Sequence, residues 1–152
     1  MATNPSDHQP KVDFVILADR AEAVNGKLYM MGGGWDRMWV ADFAQPQSIS
    51  MAIGILVPWN ATNQPHHLTI RMESQDAIEL ATLGLNFNAG RPATLGQAES
   101  QRITLAFQAA IPLPGPGTYV IKALINDVES KQTVFYVQTL PTPPIVITPA
   151  AT

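Results

Sequence analysis

Apolar residues recur at every second position in run after run of this chain, and that period commits it to strands. Leu68, Ile70 and Met72 alternate with His67, Thr69, Arg71 and Glu73. Ile103, Leu105, Phe107 and Ala109 form a second row. Ile49, Met51, Ile53, Ile55 and Val57 form a third, and Tyr119, Ile121, Ala123 and Ile125 a fourth. Successive strand side chains point to opposite faces, so each row marks one face of a strand.

Turn signals separate the runs. Asn25-Gly26 lies between 12–24 and 27–31, a strong hairpin signal. Gly32-Gly33-Gly34 breaks that strand from 35–40. Pro112, Pro114, Gly115, Pro116 and Gly117 precede the Tyr119 row, and Asn126-Asp127 follows it. The stretch 86–100 is poor in apolar residues and reads as a loop or crossover. A short helix over 17–24 is the main rival to a strand there. About eight or nine strands with closely spaced turns predict an all-β, antiparallel sandwich of jelly-roll or immunoglobulin-like type.

The expected organisation is an extended head over 1–11, a sandwich over 12–138 and a proline-rich tail over 139–152. A chain of 152 residues is one domain's length and can bury a core without staples. With no cysteine, disulfides and thiolate metal sites are excluded. Nine basic against 12 acidic residues give net charge -3, so no electrostatic footprint for nucleic acid is present. No apolar run reaches the roughly 18 residues of a membrane span, so no membrane insertion is expected. The first ten residues lack a basic and apolar leader, which sets the cytoplasm as the expected compartment.

The run 13–19, followed by Asn25-Gly26-Lys27-Leu28-Tyr29 and Gly32-Gly33-Gly34-Trp35-Asp36-Arg37, resembles the opening hairpin of a family of uncharacterised bacterial proteins, a domain of unknown function. Pro114–Asn126 and Thr133–Gln138 resemble its closing strands. The resemblance covers residues 12–138. It implies a small β-sandwich and supplies no activity, cofactor or catalytic residue.

Chemical constellations are sparse. The glycine triplet follows a strand and precedes another, without the lysine and helix of a phosphate loop, and reads as a bend. His66 and His67 are adjacent on a strand, face opposite ways and cannot share a metal. The aspartates are scattered, with no calcium-loop spacing. The Asn60-Ala61-Thr62 sequon reads as coincidence beside Trp59. No cofactor and no catalytic set are expected. Trp35, Trp39 and Trp59 are the candidate ligand residues, as a stacking platform for carbohydrate, against the plainer reading of core or interface packing.

Several strands are apolar on both faces. Val15 and Leu17 back the row Phe14, Ile16, Ala18, and Tyr29 and Met31 back Leu28 and Met30. Val120 and Leu124 back the Tyr119 row, and Val134 and Tyr136 back Phe135 and Val137. Charged residues make up 14% of the chain, against about 25% in an ordinary domain. A wet outer face would alternate with polar residues, so a cover is expected. Three covers are open: the tail segment carrying Ile145 and Ile147, the chain's own loops, or a second subunit. The expected function is a non-catalytic interaction module that forms a homo-oligomer or docks on a protein partner. The alternative is a carbohydrate- or other ligand-binding sandwich.

Overall fold

The computed structural model describes residues 5–141 and 145–151. Among these, nine strands form two sheets: β1 (Lys11–Val24), β2 (Lys27–Gly33), β3 (Arg37–Val40), β4 (Gln47–Pro58), β5 (Pro65–Ser74), β6 (Glu79–Asn88), β7 (Ser100–Ile111), β8 (Gly117–Ile125) and β9 (Val128–Thr139). The first sheet has the order β2-β1-β4-β7 and the second β3-β9-β8-β5-β6. Neighbours pair antiparallel, except that β3 runs parallel to β9.

The connections are immunoglobulin-like. The chain passes from β4 to the second sheet for β5 and β6, returns for β7, and crosses again to β8 and β9. β4 and β7 thus stand where an immunoglobulin domain has strands B and E, and β5, β8 and β9 where it has C, F and G. The corner confirms the match. Tyr119, near the start of β8, donates its hydroxyl to the Gly115 carbonyl at 2.6 Å, the tyrosine corner of such folds. Two positions on, where antibody domains place a cysteine, Ile121 is fully buried.

The period-two rows meet between the sheets. The Ile49–Val57 row of β4 faces Leu68, Ile70 and Met72 of β5 and the Tyr119–Ile125 row of β8, all buried. Phe135 lies at the centre, stacked on Tyr119 at 5.6 Å and met edge-on by Trp35 at 6.2 Å.

β1 corrects the assignment of its faces. Its pairing with β4 shifts register between Val12 and Phe14. Asp13 is the extra residue, and the bulge reverses the parity that follows. Val15 and Leu17 therefore point into the core and are buried, so neither belongs to an outer face. Phe14 and Ile16 take the outer face instead. There they lie beside small residues of β4, since Phe14 pairs with Gly54 and Ile16 with Ala52. A Cβ at Gly54 would collide with the Phe14 ring. Ala52 is fully buried under these neighbours. The outer face of the first sheet is thus largely covered by its own side chains.

The head is not simply extended. Residues 5–8 form a 3-10 turn, and the His8 ring shares a 2.7 Å hydrogen bond with the Asn60 amide. Pro10 is buried, and the Val12 N–H donates to Ser130 at 2.8 Å. At the other end, Ile145 is 87% and Ile147 84% exposed, so this segment does not cover the sandwich of its own chain. The rival helix over 17–24 is absent, because β1 continues as strand to Val24.

Candidate functional site

β1 outruns its sheet. From Lys11 to Ala18 it pairs with β4, but beyond Ala18 it pairs with β2 alone. Asn25 and Gly26 close this ribbon with φ of 51° and 73°, the left-handed pair that a two-residue hairpin turn demands. The result is a two-stranded arm of Arg20–Val24 and Lys27–Met31, with β2 as an open edge.

The arm exposes what a strand in water should not. Tyr29 is 57% and Met31 71% exposed, and Val24 and Met30 are exposed beside them. Tyr29 and Met31 stand on the arm's outward face, opposite Glu22 and Arg20 respectively. Arg20 and Glu22 pair with each other at 2.7 Å. An isolated two-stranded hairpin is marginal in water. Contiguous exposed apolar surface marks an interaction site.

A second apolar area lies on the outer face of the second sheet. Val134 pairs with Val120 across β9 and β8, and both stand on that face. Tyr136 stands next along β9, with the Arg37 guanidinium 4.8 Å from its ring centre. Trp39, also on β3, is exposed. Farther across the sheet the face turns ionic, where Lys122 meets Glu73 at 2.9 Å and Arg71 lies 3.9 Å from Glu79. Leu124 is half-buried opposite Thr69. Of the ten sequence-predicted interface residues, then, Val15 and Leu17 lie in the core. Tyr29 and Met31 lie on the arm, Val120, Leu124, Val134 and Tyr136 on this face, and Ile145 and Ile147 in the exposed tail.

The three tryptophans share no platform. Trp59 carries the Arg91 guanidinium 3.6 Å from its ring centre. Arg91 also donates to the Thr62 hydroxyl at 2.7 Å and to the Trp59 carbonyl at 2.8 Å. One face of that indole is therefore closed by the protein itself. Trp35 and Trp39 do line one shallow hollow, with Asp19, Arg37 and Met38. The Trp35 Nε1 is buried with no partner among the described residues.

The histidines behave as strand geometry requires. His66 is buried, and its ring bonds the Ala61 carbonyl at 2.7 Å and the Asn126 amide at 3.1 Å. His67 faces the other way, onto Asn86 at 2.8 Å. No group of three His, Cys, Asp or Glu residues suited to a metal occurs among the described residues. Nor is any described helix long and apolar enough to cross a membrane. The arm itself was the least visible of these features in sequence. Its signal was Asn25-Gly26 followed by Leu28–Gly34 without a single charge.

The model of the family of unknown function DUF6941 matches residues 13–138, from the bulge of β1 to one residue short of the end of β9. The chain belongs to this family. The match takes in the arm, nearly all of both sheets and the corner at Tyr119, and leaves out the 3-10 turn of residues 5–8 and the tail. No curated protein matches. Among solved structures, the chain is similar to the Pseudomonas fluorescens alkylpurine DNA glycosylase AlkC bound to DNA containing an abasic site analog. Identity is 10% and the TM-score 0.47, over 86% of this chain and 30% of that one.

Proposed function

We propose that this DUF6941 domain is a non-catalytic interaction module whose docking element is the β1–β2 arm. The observation that carries this reading is the arm's exposure beyond Ala18. Val24, Tyr29, Met30 and Met31 meet solvent on a ribbon that no third strand among the described residues supports. The rest of the first sheet covers its outer apolar residues by side-by-side packing, as Phe14 does over Gly54. The arm has no such cover. Its bound partner is protein, either another copy or a different chain, because an open β edge is satisfied by another strand. The valine and tyrosine face of β8 and β9 provides a second contact area.

A photo-crosslinking residue at position 29 tests this. It should join the domain to a protein, whereas the same residue at exposed Ile78 should not. Equal labelling at both positions, or none at Tyr29, contradicts the reading.

One observation favours a second reading, a small polar ligand such as a carbohydrate in the Trp35–Trp39 hollow. Trp35 and Trp39 both line it, together with Asp19 and Arg37 as polar neighbours. Tryptophan emission that shifts on titration with oligosaccharides would support it, and unchanged emission would count against it.

A further inference from the structure

The arm's geometry points to one particular partner: we infer that β2 pairs antiparallel with β2 of a second copy, about a two-fold axis at Met30. This rests on the arm being the docking element and names what docks there.

The first observation compares the sheet edges. Exposed edges invite pairing, and proteins blunt them with charges or by keeping them short. β3 is four residues long and carries Arg37. β6 begins with Glu79, and β7 carries Arg102, which pairs with Asp13. β2 is seven residues long, and its one charge, Lys27, sits at the turn. β6 and β7 are uncharged beyond those residues, but β6 exposes only Leu83 among its large apolar side chains and β7 none, whereas β2 exposes Tyr29, Met30 and Met31 together.

The second observation is self-complementarity. Identical strands pair antiparallel only about a two-fold axis, and opposed residues must share a face. An axis at Met30 engages all of Lys27–Gly33, with Lys27 against Gly33 of the other copy and Leu28 against its Gly32. Axes at Tyr29 or Met31 would leave strand ends unpaired. The axis at Met30 sets Tyr29 against Met31 of the other copy, on the outward face. Thioether sulfur against an aromatic ring is a favourable contact. Because Glu22 pairs with Tyr29 and Arg20 with Met31 within each arm, the two symmetry-related rows through these residues read Glu22, Tyr29, then Met31 and Arg20 of the other copy. Both of these rows are thus bounded by opposite charges.

The backbone agrees. In a two-residue hairpin the flanking residues bond each other, so Val24 and Lys27 are bonded and alternate residues turn outward. The N–H and C=O of Met30 therefore point to the open edge, where the axis sets Met30 against Met30. The two four-stranded sheets join into one.

Light scattering tests the pairing and its register together. The full chain should show twice its 16.5 kDa mass. Tyr29→Lys and Met31→Glu should each return it to monomer, since each replaces the thioether–ring contact in both rows by a charge set against an apolar side chain. Mixed in equal amounts, the two variants should form a heterodimer, because lysine at 29 then faces glutamate at 31 while Met31 still faces Tyr29. A monomeric full chain overturns the inference, as do single variants that stay dimeric. Single variants that are monomeric but fail to pair on mixing overturn the register. If the full chain is monomeric while a crosslinker at position 29 captures a different protein, the arm stands as a docking element and the self-pairing falls.

Discussion

The hydroxyl of Tyr119 donates to the carbonyl of Gly115 at 2.6 Å, across the corner by which the chain leaves β7 and enters β8. Its ring stacks on Phe135, which Trp35 meets edge-on. One residue thus ties the corner to the aromatic centre of the core. Tyr119→Phe keeps the ring and removes the bond. It should lower unfolding free energy by about 1–3 kcal/mol, since the carbonyl is left half-buried without its donor. Urea unfolding measures this, and an unchanged midpoint would show the corner to be ornamental.

Gly54 lies under the Phe14 ring, and no side chain fits between them. Gly54→Ala should therefore destabilise by about 1–3 kcal/mol through overpacking. Phe14→Leu in the same chain should recover part of that loss, because the colliding atoms are gone. The double-variant cycle gives the coupling directly. Strictly additive losses would mean that Phe14 does not rest on Gly54.

Arg91 holds Trp59 by a stacked guanidinium and holds two oxygens of the Trp59–Thr62 turn. Arg91→Ala should cost about 1–2 kcal/mol and shift Trp59 emission to the red as water reaches the ring. Arg91→Lys should restore little, since an ammonium cannot stack flat and bond both oxygens. Full recovery with lysine would reduce the contact to charge alone.

Much of this was legible in the sequence. Four period-two rows marked inward faces, and all four lie inward. Asn25-Gly26 and Asn126-Asp127 marked turns that are present, with positive φ at all four residues. The parity of β1 was not legible. Val12–Ala18 is apolar on both rows, and only the bulge at Asp13, set by pairing with β4, decides which row is buried. The separation of the tryptophans was hidden for a similar reason. Trp35 meets Phe135 and Trp39 lies opposite Gln138 because β3 pairs with β9, nearly a hundred residues on. Where β1 pairs with β4, the outer apolar residues pack locally, large side chains beside glycine and alanine. What alternation could not show is that β1 outruns β4, and so leaves β2 without support.

The most direct test of the arm is amide exchange at Met30. Within one chain its N–H faces the open edge, where no strand among the described residues pairs with β2, so it should exchange freely in dilute solution. With the arm docked on a second copy, its exchange should slow as concentration rises, and Tyr29→Lys should restore the fast rate at every concentration. A Met30 amide that exchanges fast and independently of concentration in the full chain would contradict the paired arm.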